Sequence, residues 1–228
     1  MVNYHETPLE RYRCVKKACQ ITDEIFSLLL RNFSSFRTEH DVAAFILKET
    51  HTRGLRKAFP PIIANNQWII HAKPRKKKLS RGFCVFDMGV RVNRYCSDMT
   101  RTIFIGTPTT FEKKMYQLIY DCQTACCRKL RVGINCKTLD LHSRTLLGKY
   151  AKYYLHSLGH GVGKRIHQPP WLSVRKGEKY FIKAHDMVTI EPGIYFKGKY
   201  GIRIEDTIHV GKRGIEILTQ SPKRLICV

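Results

Sequence analysis

TIEPGIYFKGKYGIRIEDT, residues 189–207, places two glutamates symmetrically about a KGK tip. Folded as a hairpin turning at Gly198, the segment sets Glu191 opposite Glu205 on an antiparallel pair. Directly opposed residues have close Cβ atoms and project to one sheet face. Two carboxylates so placed, in the middle of apolar strands, repel each other unless a cation lies between them. A second stretch, FDMGVRVNRYCSDMTRT (86–102), has the same character. There Asp87 is expected to face Asp98 across a turn centred on Val92–Asn93. Between the two stretches, HSLGHGVGKRIHQPP (156–170) supplies His160, flanked by Gly159, Gly161 and Gly163, which permit close backbone approach.

Asp87, Asp98, His160, Glu191 and Glu205 together offer four hard oxygen donors and one imidazole. That set suits a pair of divalent cations, Mn, Co or Fe, with Zn also compatible. Such a pair activates water for amide hydrolysis. Two other chemistries are excluded. GHGVGKR lacks the following helix and downstream ribose-binding acid of a nucleotide loop. Cys96 lacks a partner base and reads as a buried thiol.

The rest of the chain reads as two successive blocks, helices followed by strands. Residues 9–33 carry apolar side chains at helical spacing. Thr38 is placed to cap a helix beginning at Glu39. Residues 59–70 read as extended, and 82–90 and 94–105 as paired strands. Thr109 or Thr110 opens a helix to about Leu130, and 137–153 reads as a further helix. Strands and glycine-rich turns follow Tyr154. This order predicts an α+β fold, an antiparallel sheet covered by helices. A chain of 228 residues with 43% hydrophobic content is enough for one core, so residues 1–228 are expected to form a single catalytic domain.

The motifs resemble those of the pita-bread metallopeptidases: methionine aminopeptidases, Xaa-Pro aminopeptidases and prolidases. The likeness runs from about Leu9 to Val210. SDMTRT, GHGVGKRIH, EPGIYFKGKYGIRIEDT and ANNQWIIHAKP are similar in wording to Xaa-Pro aminopeptidases and prolidases. The resemblance implies two pseudo-symmetric α+β halves around a curved antiparallel sheet with a dinuclear site at its centre. It implies that Asp87 chelates one metal, that Asp98 and Glu205 bridge the pair, and that His160 and Glu191 complete the other. It implies a metal-dependent exopeptidase, of Xaa-Pro type by wording and of methionine type by size. Glu191 would also be the general base, with His71 and His167 beside the substrate carbonyl. Arg203 and Thr100 would support the ligands from behind. His156 reads as a satisfied core histidine, with a place beside the metals as the alternative. The chain departs from the family where Arg94 replaces a common glycine, where Gln168 follows His167, and in starting where the catalytic domain would start.

The formal net charge is +23, from 41 Lys and Arg against 18 Asp and Glu. Basic residues gather at 74–81 and 164–183, next to presumed site residues. Such a field attracts anionic partners, a ribosome or other nucleic acid among them, alongside peptide substrates. No segment has the ~20 apolar residues of a membrane span. The N-terminal stretch lacks the pattern of a secretory leader. Nine cysteines at irregular spacing argue against a disulfide framework. Together these features predict a cytoplasmic protein.

Overall fold

The structure, a computed structural model, describes residues 7–228. The reading of the extreme N-terminus rests partly on residues 1–6, outside the described residues. The first half begins with helices α1 (Pro8–Arg31) and α2 (Glu39–Thr52). Strands β1 (Arg56–Lys57), β2 (Ile62–Asn65), β3 (Gly82–Met88), β4 (Val90–Val92), β5 (Tyr95–Cys96) and β6 (Met99–Ile105) follow. The second half repeats the order. Helices α3 (Thr110–Lys129) and α4 (Cys136–Leu147) precede β7 (Gly159–Gly161), β8 (Gln168–Leu172), β9 (Met187–Ile190) and β10 (Gly193–Phe196). Strands β11 (Tyr200–Arg203), β12 (Asp206–Val210) and β13 (Ile215–Ile217) complete it.

The helices start where the sequence places threonine caps. Thr38 accepts from the Asp41 amide while the Asp41 carboxylate accepts from the Thr38 amide, and Thr109 and Glu112 repeat this reciprocal box. Each cap contributes about 1 kcal/mol. α1 buries Val15, Ala18, Thr22, Ile25, Phe26 and Leu29, a stripe at helical spacing. With Val42 and Ile46 of α2, Ala18, Ile25, Phe26 and Leu29 pack on Phe86, Met88, Met99 and Ile103 of the first sheet. α3 and α4 do the same for the second, laying Met115, Ile119 and Leu139 in one cluster with Val188, Ile190 and Ile208. The result is helix on sheet, twice.

The first sheet has strand order β2-β3-β6, and the second β13-β12-β9-β7-β8. They meet at β6, which lies beside residues 203–207. The Glu205 amide donates to the Thr100 carbonyl at 3.0 Å. Thr102 Oγ1 accepts from the Arg203 amide and donates to its carbonyl. Thr207 Oγ1 does the same for Asp98. Threonine hydroxyls thus complete an antiparallel seam that joins the halves into one curved surface. Behind the seam, the buried Arg101 guanidinium donates to the Glu205 and Ser221 carbonyls and to Asp206 Oδ1 at 2.7 Å. Lys223 closes on the other Asp206 oxygen at 2.7 Å.

Three expectations need correction. Only Ile62–Asn65 of the 59–70 segment is a strand. The expected 137–153 helix ends at Leu147, where Gly148 takes φ +51 and the chain tightens into a 3-10 turn over Gly148–Tyr153. In the first hairpin, Asp87 pairs with Thr100 rather than Asp98. The two-residue turn is Asn93–Arg94, because Val92 pairs with Tyr95. The shift is by two residues, so Asp98 stays on the same face as Asp87, as a diagonal neighbour. The second hairpin turns at Gly198 as expected, with φ +72 there.

Asp206→Ala removes one partner of a fully buried ion pair and leaves the Arg101 charge uncompensated. Chemical denaturation is expected to show a loss of about 3–5 kcal/mol. A loss below about 1 kcal/mol would show that the seam does not depend on this pair.

Candidate metal centre

The site residues occupy two neighbouring rungs across the curved sheet. Asp87 on β3 lies opposite Thr100 on β6, and Thr100 lies against Glu205 across the seam. Continuing the Gly193–Arg203 and Ile190–Asp206 registers sets Glu191 opposite Glu205. The second rung carries Asp98, Thr207 and Thr189, and then His160, whose amide donates to Thr189 Oγ1 at 3.1 Å. Residues two apart on a strand share a face, so both rungs project the same way. The close approach of the strands requires glycine beside His160. A Cβ on Gly159 would stand 2.0 Å from the Thr189 carbonyl oxygen, and one on Gly161 would stand 2.2 Å from that of Pro169.

All five expected ligands come together. Ligand atoms of Asp87, Asp98 and Glu205 lie within 4.8 Å of one another, as do those of His160, Glu191 and Glu205. His160 Nε2 is 3.4 Å from Glu191 Oε1 and 3.7 Å from Asp98 Oδ2. Asp87, Asp98, His160 and Glu205 are buried and Glu191 is half-buried. Burial first, then the neighbouring carboxylates, pushes Asp98 and Glu205 well above the usual carboxylate range. Burial also raises Glu191 to about 8. Arg203 opposes these shifts. Left without cations, Asp98, Glu191 and Glu205 are pushed toward their protonated forms.

Arg203 is where the sequence places a supporting cation. Its Nη2 donates to Asp87 Oδ2 at 2.5 Å, and its Nε to Thr100 Oγ1 at 3.1 Å. Thr100 in turn donates to Glu205 Oε2 at 2.6 Å. Arg203 does not fill the centre: Asp87 Oδ1 is buried and has no hydrogen-bond partner. That orphaned oxygen, beside three other carboxylates and an imidazole, fits divalent cations. Asp87, Asp98, His160, Glu191 and Glu205 are the residues that would hold them.

Sequence reasoning missed part of the support. Arg203 Nη1 donates to Tyr195 Oη at 2.7 Å, and Tyr195 Oη lies 2.9 Å from His156 Nε2. His156 Nδ1 lies 2.8 Å from the Ser157 carbonyl, which can only accept, so Nδ1 carries the proton and Tyr195 donates to Nε2. Burial, then Arg203, lowers His156 to about 3, which keeps it neutral. The expectation of a satisfied histidine holds, yet its ring also lies 3.9 Å from Glu191. Only the spacing of Tyr195 from Arg203 along the hairpin could have hinted at this chain.

Above the cluster is a cavity of about 290 Å³. His71 and His167 stand on its wall, and Phe59, Pro60, Pro61, Ile62, Ile70 and Ile166 make much of it apolar. The His167 ring meets His160 edge-on at 4.3 Å between centroids. Burial, then His160 and His71, lowers it to about 4.

Sequence comparison agrees with this architecture. A profile of metallopeptidase family M24 matches residues 13–212. The chain belongs to that family, and its fold is the pita-bread arrangement of two α+β halves. It is 34% identical over 220 residues to an Xaa-Pro dipeptidase of Pyrococcus horikoshii, covering 94% of this chain and 62% of that protein. A prolidase structure from Thermococcus sibiricus superposes with TM-score 0.91 at 31% identity, over 96% of this chain and 61% of the other. An X-Pro aminopeptidase structure from Thermotoga maritima gives 0.88 at 31%, over 96% and 63%. The chain therefore spans less than two thirds of the length of these relatives. Among the described residues no helix is long and apolar enough to cross a membrane.

Chelation is expected to lower the melting temperature, and more at pH 8 than at pH 6. The sign follows from Glu191 in the stripped protein. A carboxyl raised from 4.5 to about 8 favours the fold below pH 4.5, and that contribution is lost as pH rises through 8. Differential scanning fluorimetry with and without chelator reads this. Equal melting temperatures at both pH values would contradict the metal reading.

Proposed function

We propose that the chain is the catalytic unit of a dinuclear metal-dependent exopeptidase acting on the bond before proline in short peptides. The observation that carries this reading is a closed set of four carboxylates and one imidazole at the floor of an apolar cavity. Asp87, Asp98, His160, Glu191 and Glu205 would hold two divalent cations, which would supply an acidified water and polarise the scissile carbonyl. Mn suits the donor set, as do Co and Fe. Glu191, half-buried at the cavity floor, would accept the water's proton and return it to the leaving nitrogen. His71 and His167 donate to the carbonyl oxygen as it gains charge, and neutral His167 does so through its N–H. Arg203 and Thr100 hold Asp87 and Glu205 in place.

The apolar wall of Phe59, Pro60, Pro61 and Ile166 suits a pyrrolidine ring. The wording of the motifs favours an Xaa-Pro aminopeptidase, and the relatives named Xaa-Pro dipeptidase move the preferred substrate to a dipeptide. All nine cysteines are free thiols, which supports a reducing, cytoplasmic setting.

A panel of Xaa-Pro dipeptides, Xaa-Pro-Xaa tripeptides and Met-Ala peptides with Mn or Co separates these readings. Cleavage of Xaa-Pro dipeptides at the highest kcat/KM is expected. Cleavage of Met-Ala peptides alone would overturn the substrate assignment. Glu191→Gln is expected to lower kcat by about 10²–10⁴-fold with the melting curve retained. A variant with full turnover would remove Glu191 from its role.

A further inference from the structure

A second cavity, of about 650 Å³, takes residues 54–57 and Lys164 into its lining, while residues 59–61 and 166–167 further along the same two segments line the cavity over the metal cluster. Arg56, Lys57, Arg91, Arg94 and Lys164 line it, and no acidic residue does. They arrive from three separate parts of the chain: β1, the β4–β5 hairpin and the loop after β7. Arg56, Lys57, Arg91 and Arg94 share one concavity with no acid among its lining residues, where an ordinary solvated surface intersperses both signs. Among the described residues, Arg56, Lys57 and Arg94 make no ion pair, and all three are exposed. Arg91 is fixed, donating to the Lys164 carbonyl at 2.8 Å and to the Ala58 carbonyl at 3.3 Å. The Lys164 ammonium sits 5.6 Å from the centre of the Tyr95 ring.

The turn that presents Arg94 is an independent observation. Asn93 and Arg94 form a two-residue hairpin loop with φ +47 and +73. Such a loop favours Asn-Gly, because glycine takes positive φ without steric cost. Arg94 keeps a guanidinium-bearing side chain at the position where glycine would relieve strain, and it lines the cavity. Guanidinium forks match the oxygens of phosphate in pairs. The lining offers no aromatic face on which a base could stack. The geometry points to a binding site for a compact ligand bearing several phosphate groups, seated on Arg56, Lys57, Arg91, Arg94 and Lys164.

The test is isothermal titration of the full chain with inorganic tripolyphosphate. Wild type is expected to bind, with affinity falling as salt rises from about 50 to 200 mM. Arg94→Gly is expected to weaken binding about tenfold while melting at the same or a higher temperature, since the turn is relieved. The pair Arg56→Glu and Lys57→Glu, on exposed side chains, is expected to weaken it about 100-fold. Unchanged affinity in these variants would mean that tripolyphosphate binds elsewhere, the active-site cations included, and would overturn the proposal. Binding of an oligouridine of about 20 nucleotides that depends on the same residues but is not displaced by tripolyphosphate would overturn it in favour of a nucleic-acid backbone. Peptidase activity is read separately, so the outcome here is independent of the substrate assignment.

Discussion

Mutual repulsion among four carboxylates in a poorly hydrated cleft is the constraint around which this molecule is built. Asp87, Asp98, Glu191 and Glu205 are held close by strands that cannot move apart without breaking the core. Coulomb repulsion at a few ångströms in a low-dielectric setting is worth several kcal/mol. Arg203 offsets part of it through Asp87, and burial first, then the neighbouring carboxylates, still hold Asp98 and Glu205 well above the usual carboxylate range. A fold that assembles such a cluster from both of its halves is organised to hold cations, since packing alone would favour apolar side chains there.

The halves are joined where the site is. β6 and residues 203–207 are stitched by Thr100, Thr102 and Thr207 hydroxyls, with one direct backbone bond. Threonine fits because one hydroxyl can accept from an amide and donate to a carbonyl of the facing strand. The buried Arg101–Asp206–Lys223 group closes the seam from behind. Ligand spacing therefore depends on contacts between residues about 100 positions apart.

That dependence explains what the sequence could reveal. Glu191 and Glu205 were legible because they are equidistant from Gly198, and a hairpin's register follows from its turn. Asp87 and Asp98 were misregistered by two residues, because Asn93–Arg94 does not carry the glycine that marks such a turn. Their shared face survived, since face depends only on whether the shift is even. The α+β order and the helix caps followed from periodicity and from threonines at 38 and 109. The seam, the Arg101 network and the Arg203–Tyr195–His156 chain were not legible, because each joins residues far apart in the fold's wiring and leaves no local pattern. The high positive charge was legible as a number and as basic runs at 74–81 and 164–183. Its concentration in one concavity beside the site needed the fold.

Crystals grown with Mn and measured for anomalous scattering test the central claim most directly. Two peaks are predicted, one among the Asp87, Asp98 and Glu205 carboxylates and one beside His160, Glu191 and Glu205. A cluster free of anomalous signal, with the Arg203 guanidinium or water alone between the carboxylates, would contradict it.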